Sequence, residues 1–129
     1  MTELNQKVEQ YDLREHVIFL GRRNDIPDLL KMIDILIIPS AFEGFPLAGL
    51  AAAAGVPVIA CDAAGAEEFI RVSRDGVTFA EDDVDNAADA VGKILEGKEQ
   101  YKKAGIEFAS QMSNREYSTK VEQIFKSIE

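Results

Sequence analysis

The sequence predicts an α/β fold: a Rossmann-like parallel sheet of about four strands, with flanking helices and a helical carboxyl-terminal part. Two observations lead to this prediction. Short apolar runs of strand length alternate with segments of helical periodicity, which is the pattern of parallel βαβ units. From about residue 83 onwards the periodicity is helical. The length of 129 residues suits one core, so we expect a single domain over residues 1–129.

Four elements are predicted before residue 40. Each strand is a short apolar run followed by a residue that ends it, Gly21 for the first and Pro39 for the second. The helix between them is marked by Asp25, which can cap it, and by Pro27 in its first turn. In order, the elements are a helix over residues 3–13, a strand over 17–20, a helix from 25 to about 32 and a strand over 35–38.

The later elements follow the same logic. An alanine-rich helix begins at Pro46 and is closed by Gly55. Pro57 stands at the first position of the third strand, where a proline is tolerated. After that helix we expect a strand over residues 57–61, a helix over 65–71, a strand over 77–80 and helices over about 83–96, 98–111 and 114–128.

Composition excludes several classes of partner. The chain has 23 acidic and 14 basic residues, a net charge of -9, so nucleic acids and anionic membrane surfaces are poor partners. No apolar run approaches the roughly 20 residues of a membrane-spanning helix, and the polar start is unlike a secretory signal. Cys61 is the single cysteine, which suits a reducing compartment. We therefore expect a cytoplasmic protein.

Ligands of parallel sheets bind outside the carboxyl ends of the strands, here the loops 21–25, 39–46, 61–66 and 80–83. The second loop contains Glu43 and Gly44 and runs directly into the helix at Pro46. The free amide groups at that helix start and the helix dipole favour a phosphate. A neighbouring carboxylate can accept hydrogen bonds from sugar hydroxyls. This loop therefore suits a sugar attached to a diphosphate.

Five segments in this order resemble the group 1 family of GT-B-type retaining glycosyltransferases, namely residues 17–21, 34–40, 43–47, 55–60 and 65–68. The resemblance is to the carboxyl-terminal, nucleotide-sugar-binding domain of the family. It implies a nucleotide diphosphate sugar as donor substrate, with no cofactor and no tightly bound metal.

The resemblance also assigns residues to the donor. Glu43 would contact the donor sugar, and Gly21 with Arg22 would hold the nucleotide base, largely through the backbone. The residues whose backbone would lie against sugar and phosphate are Gly44, Phe45, Pro46 and Leu47. No catalytic residue is assigned.

The sequence departs from the family at a second glutamate, which contacts the donor ribose eight positions after the first. Counted from Glu43 that position is Ala51, and counted back from Gly55 it is Leu50. Neither carries a carboxylate, and losing such a hydrogen bond weakens donor binding by about 1.5–3 kcal/mol.

The family's donor domain begins with two more strands, which carry the cations that clamp the diphosphate, and an acceptor-binding domain precedes them. Residue 1 would come after both, so we expect no measurable transfer by this chain alone. The same strands would lie between residues 17–20 and 35–38 in a Rossmann-like order. Either residues 17–20 pair directly with 35–38, or another chain fills the gap. We expect self-association at the exposed edge, through edge pairing or segment exchange, or a partner chain that covers it.

Three readings of function stay open at this point: a donor-binding part of a transferase, a non-catalytic interaction or oligomerisation module derived from the family, and an enzyme half completed by a separate chain. Other features have simpler interpretations. His16 is interpreted as a solvated residue and Cys61 as a small buried hydrophobe. The acidic run 81–85 lacks the spacing of a calcium loop and suits a helix start, so no metal site is predicted.

Overall fold

A computed structural model describes residues 2–40, 46–62 and 66–112. They contain a three-stranded parallel sheet in the order β1-β2-β3. The strands are β1 (Leu36–Ile38), β2 (Val58–Cys61) and β3 (Gly76–Phe79). The helices are α1 (Thr2–Gln10), α2 (Ile26–Leu30), α3 (Pro46–Ala54), α4 (Ala66–Ser73), α5 (Val84–Glu96) and α6 (Lys98–Gln111).

Helices cover both faces of the sheet. Successive side chains of a strand point to opposite faces, so neighbouring residues of β2 pack against different helices. Val58 and Ala60 of β2 belong to a core cluster with residues of α2, α3 and α4. Ile59, between them, packs instead against Ala90 and Ile94 of α5. All four residues of β2 are buried, so the middle strand has the environment that a continuous apolar run predicts.

Helix α3 ends in the Schellman motif that its glycine predicted. Gly55 has a φ of +70°, a conformation that other residues adopt only at a cost. Its N–H donates to the carbonyl of Ala52 at 3.0 Å, and the N–H of Val56 donates to that of Ala51 at 2.9 Å. The carbonyl groups at the end of α3 are thereby satisfied within the chain.

Close packing holds α3 against α6. A Cβ atom added at Gly105 would lie 3.0 Å from the Cβ of Asp75 and 3.2 Å from the Cα of Ala52. A Cβ atom at Gly55 would lie 3.0 Å from Cδ1 of Ile106. Larger residues at these positions would separate the two helices, so small residues fix the position of α3 between the sheet and α6.

The predicted strand over residues 17–20 is wrong for the described structure, which has three strands where about four were expected. Ile18 is 81% exposed and Leu20 is 53% exposed. An apolar run indicates that a segment tends to be buried, but a strand also needs a neighbour for its backbone hydrogen bonds. Among the described residues, β1 pairs with β2 on one side only and offers no pair to this segment.

The predicted helices over the described residues are found, with shifted ends. The first ends at Gln10 in a turn with Asp12 at a φ of +54°, and the second is limited to Ile26–Leu30. Asp25 makes no side-chain cap for α2, because its carboxylate binds Arg23 instead. The helix predicted over 114–128 lies outside the described residues. Within the described ranges, every helix is too short or too polar to cross a lipid bilayer.

Candidate functional site

The carboxyl ends of the three strands meet at one edge of the sheet, because the strands are parallel. Three loops leave this edge, and each leads to the amino end of a helix: α3 after β1, α4 after β2 and α5 after β3. Residues 41–45 and 63–65 of these loops lie outside the described residues. We call this region the carboxyl edge.

The amino end of α3 carries no acidic residue in its first turn. Pro46 occupies the first helical position, where a proline is favoured because that N–H has no intrahelical partner. The amide groups of the following residues begin at Leu47, whose side chain is 36% exposed. Of the predicted sugar and phosphate residues, Pro46 and Leu47 are thus found at this helix end, whereas Glu43, Gly44 and Phe45 lie outside the described residues.

The other two helix ends at the carboxyl edge differ from α3. Helix α4 has Glu67 and Glu68 in its first turn. At α5 the carboxylate of Asp83 accepts a hydrogen bond of 2.9 Å from the N–H of Asn86, whose own side-chain oxygen accepts one of 3.0 Å from Ala80. Negative charge therefore already stands at both ends, which leaves the amino end of α3 as the better place for an anion.

The predicted base-binding residues lie in the loop before α2. Gly21 has a φ of +64°, and both Gly21 and Arg22 are exposed. Arg23 donates two hydrogen bonds to Asp25, of 2.8 and 2.5 Å. The hydrogen bond from Arg23 lowers the pKa of the Asp25 carboxyl group. In the described structure Arg23 is therefore paired within the loop, whereas Arg22 makes no hydrogen bond or ion pair to a described residue.

Packing connects this loop to α3. Ile26 and Leu30 of α2 belong to the same core cluster as Ala48 and Ala51 of α3. The loop that contains Gly21 leads directly into the first of these residues. The two regions assigned to base and diphosphate are therefore supported by one core.

Burial distinguishes the two positions that stand where the family has its second glutamate. Ala51 is 0% exposed and lies in the core, whereas Leu50 is 47% exposed. The sequence alone could not choose between them, because one residue of helix length turns a side chain by about 100°. Of these two positions, only Leu50 presents its side chain to solvent.

Cys61 ends β2 at the carboxyl edge and is 2% exposed. Burial raises the pKa of its thiol, and the charges of Glu81, Asp62 and Asp82 add to the effect. A buried thiol beside carboxylates stays protonated and is a poor nucleophile. In the ranges that the structure describes, no group of three or more His, Cys, Asp or Glu side chains is arranged to hold a metal ion.

Sequence reasoning missed a buried polar pair at the opposite end of β3. Asp75, expected only as part of a turn, is 1% exposed, and its Oδ1 accepts a 2.5 Å hydrogen bond from the hydroxyl group of Ser73. Its Oδ2 has no hydrogen-bond partner in the described part of the chain. Burial raises the pKa of Asp75, against the effect of the Ser73 hydrogen bond. The pair lies against Gly105 of α6, away from the carboxyl edge.

Comparison with known proteins connects this geometry to a family. Residues 2–111 match the sequence profile of the family described as glycosyl transferases group 1. The lipopolysaccharide core biosynthesis mannosyltransferase LpsB of Rhizobium meliloti is 31% identical over 100 residues, which are 75% of this chain and 28% of that protein. UDP-Gal:alpha-D-GlcNAc-diphosphoundecaprenol alpha-1,3-galactosyltransferase of Escherichia coli is 34% identical over 88 residues, covering 67% and 23%. The chain spans about a quarter of the length of these relatives.

Solved structures share the fold. Anabaena HepE in complex with UDP superposes with a TM-score of 0.80 at 26% identity, covering 98% of this chain and 36% of that one. The C-terminal domain of the group 1 glycosyl transferase LpcC from Francisella tularensis has a TM-score of 0.68 at 30% identity, covering 86% and 60%. Since the family profile covers 2–111 and these structures share its parallel sheet, the chain belongs to the group 1 glycosyltransferases, with the fold of their GT-B carboxyl-terminal domain.

Proposed function

We propose that this chain is the part of a glycosyltransferase that binds the nucleotide diphosphate sugar, with the diphosphate at the amino end of α3. The observation that carries this proposal is the difference among the three helix ends of the carboxyl edge. Helices α4 and α5 begin with carboxylates, whereas the first turn of α3 has none. The structural similarity to HepE, whose structure contains UDP, supports the same class of ligand.

The proposed roles are those that the resemblance to the family assigns. Glu43 contacts the sugar, and the backbone from Gly44 to Leu47 lies against sugar and phosphate at the start of α3. Gly21 and Arg22 hold the nucleotide base from the loop before α2. No cofactor or metal takes part in binding. The single cysteine of the sequence supports a cytoplasmic location, where thiols stay reduced.

We also propose that the 129 residues bind a donor without transferring its sugar. Transfer of the sugar requires positive charge that stabilises the departing nucleoside diphosphate. Among the described residues that are assigned to the donor, Arg22 is the only cation, and it is assigned to the base. When the chain is incubated with nucleotide sugars, with either water or an added sugar as the acceptor, nucleoside diphosphate should be released no faster than in the uncatalysed reaction.

A nucleotide titration followed by NMR tests donor binding directly. UDP, GDP and ADP, each with its sugar conjugate, are added to the nitrogen-15-labelled chain. We expect amide shifts at residues 21–25 and 47–49 with at least one nucleotide, and no shifts at 84–87 in α5, which serves as the internal control. If every nucleotide leaves both regions unchanged at millimolar concentration, or shifts only the α5 amides, the donor-binding proposal is wrong.

A second function, as an interaction or oligomerisation module, is favoured by a separate observation. Ile37 belongs to a strand but is 50% exposed, and β1 is paired on one side only among the described residues. Unpaired strand edges with apolar side chains associate readily with other chains. Light scattering over a range of concentrations should show a mass above that of one chain, and a constant monomer mass would contradict this function.

A further inference from the structure

Helix α3 has an exposed side without a polar side chain. Its nine residues are alanine, leucine, glycine and one proline, so none of them is charged or carries a hydrogen-bonding side chain. Leu47 is 36% exposed and Leu50 is 47% exposed, and Ala53 and Ala54 are exposed as well. A surface helix normally carries charged and polar residues on its solvent side. The exposed side of α3 therefore offers a ligand apolar contact and no side-chain hydrogen bond.

This exposed side is turned away from α6. A Cβ atom added at Gly105 of α6 would lie 3.2 Å from the Cα of Ala52, so Ala52 marks the side of α3 that meets α6. Each residue of an α-helix turns by about 100°, which places Leu47 and Leu50 about 140° and 160° around the helix from Ala52. Both leucines are therefore on the side of α3 that α6 leaves open, near the amino end of the helix.

The pentose of the proposed donor lies within reach of Leu50. The diphosphate would lie at the amino end of α3 and the base at the loop before α2, a helix that packs against α3. The pentose joins these two parts of the nucleotide. Leu50 comes four residues after Pro46, a rise of about 6 Å along the helix. Its Cβ atom also tilts toward the amino end, because all side chains of an α-helix do so, and this brings the leucine closer to the diphosphate.

In α3, α2 and the loop that precedes α2, every described carboxylate is already paired. The two oxygens of Asp25 accept hydrogen bonds of 2.8 and 2.5 Å from Arg23. Asp28 of α2 forms an ion pair of 3.1 Å with Lys31. Leu50, one of the two positions that the resemblance gives for a ribose-binding glutamate, has no polar side-chain atom. A pentose hydroxyl group that gives up water against this leucine therefore gains no carboxylate as a hydrogen-bond partner.

We propose that Leu50 makes the donor site accept 2′-deoxyribonucleoside diphosphate sugars at least as readily as the corresponding ribonucleoside compounds. The 2′-methylene group of a deoxyribose can pack against the leucine side chain, and its burial there is favourable. A 2′-hydroxyl group in the same place would lose water without gaining a partner. The inference rests on the donor binding proposed above and adds the class of nucleoside to it. Leu50 is thereby the residue that determines how the site treats the pentose.

Matched nucleotide pairs test the inference on the complete chain. UDP, GDP and ADP are each compared with their 2′-deoxy form, so that the members of a pair share base and diphosphate and differ in one hydroxyl group. Calorimetry measures the dissociation constants. For each pair that binds, we expect the deoxy form to bind as tightly as the ribonucleotide, within about twofold, or more tightly. A ribonucleotide that binds about fivefold more tightly than its deoxy form, or better, overturns the inference and leaves donor binding standing. A chain that binds no member of any pair overturns donor binding and the inference together.

Glutamate substitutions then test whether Leu50 is the residue responsible. Leu50→Glu supplies the missing acceptor, so the ribonucleotide should bind at least about tenfold more tightly than its deoxy form. Leu95→Glu is the matched control, because Leu95 is 58% exposed near the end of α5, and it should keep the natural ratio within about twofold. Both positions are exposed, so circular dichroism should show an unchanged fold. The ratio compares two ligands of one protein, so a general change in charge or stability leaves it unaltered. A Leu50→Glu protein with the natural ratio overturns the role of Leu50.

Discussion

Helices α3 and α5 begin at the same edge of the same sheet, yet their amino ends are built differently. At α5 the chain satisfies its own helix start, since Asp83 accepts the N–H of Asn86 and adds negative charge. At α3 a proline opens the helix and no carboxylate follows in the first turn. A helix start capped by its own chain serves the fold, whereas a first turn without carboxylates can attract an anionic ligand. Five predictions test this comparison.

The largest effect is expected at the core side of α3. Ala51→Glu buries a carboxylate at a position 0% exposed, so the free energy of unfolding should fall by roughly 3 kcal/mol or more. Thermal unfolding followed by circular dichroism measures the loss. A variant as stable as the natural chain would show that this side of α3 is not packed as described.

The neighbouring position should behave in the opposite way. Leu50→Glu places a carboxylate on the exposed side of α3, at one of the two positions that the resemblance gives for the ribose-binding glutamate. A regained charged hydrogen bond of about 1.5–3 kcal/mol should tighten nucleoside diphosphate binding roughly 10- to 100-fold. Calorimetry measures the dissociation constant, with Leu50→Gln as the uncharged control. Equal or weaker binding by the glutamate variant would place the ribose elsewhere.

The buried carboxyl group of Asp75, which lies against α6, should make the stability of the fold depend on pH. Burial raises the pKa of the Asp75 carboxyl group in the folded chain. Between its ordinary pKa and the raised one, the folded chain therefore keeps a proton on Asp75 that the unfolded chain has already released. Stability should therefore fall as pH rises from the ordinary carboxyl pKa of 3.8 to the raised value, by up to about 1.4 kcal/mol per pH unit. Asp75→Asn should lose this slope in denaturant titrations. A variant with the natural slope would assign the pH dependence to another group.

Removing the cap of α5 tests whether this helix start contributes to stability and not to ligand binding. Asp83→Ala takes away the oxygen that accepts the N–H of Asn86, so the unfolding free energy should decrease by about 1 kcal/mol. Nucleotide affinity should stay unchanged, because this helix end is not the proposed site. Paired denaturation and nucleotide titrations measure both quantities, and a loss of affinity larger than the loss of stability would break the comparison.

The smallest effect is expected from a charge at the start of each helix. Leu47→Asp adds a carboxylate to the first turn of α3, where it should repel a diphosphate and weaken its binding several-fold, on the order of 1 kcal/mol. Val84→Asp makes the same change at the first residue of α5 and should have no effect on binding. Both substitutions suit a helix start, so the folds should be retained. Equal affinities of the two variants would contradict the assignment of the diphosphate to α3.

Local chemistry in the sequence predicted much of the fold and part of the site. The end of α3 follows from Gly55, because few residues but glycine adopt its positive φ cheaply. The start of α3 follows from Pro46, and the parallel sheet follows from the alternation of apolar runs and helical segments. Each of these depends on residues close together in the chain. The predicted donor residues Glu43, Gly44 and Phe45 stay predictions, as do the donor roles of Gly21, Arg22, Pro46 and Leu47.

Three features depended on neighbours distant in sequence. The apolar run at 17–20 predicted a strand, but its place in a sheet depends on a pairing partner that local pattern does not reveal. The choice between Leu50 and Ala51 depends on which side of α3 meets the core. Asp75 looked like a turn residue, but it is buried in the fold, where Gly105 of α6 lies against it.

The sequence by itself determined the family, three of the strands, the order of the helices over the described residues and the start of α3 at Pro46, because these properties are encoded by adjacent residues. The tertiary structure alone decided which strand lies at a border, which side of α3 faces solvent and which carboxyl group is buried. The physical reason is that burial and strand pairing are properties of surfaces formed by several segments. Their free energies exist only when those segments meet.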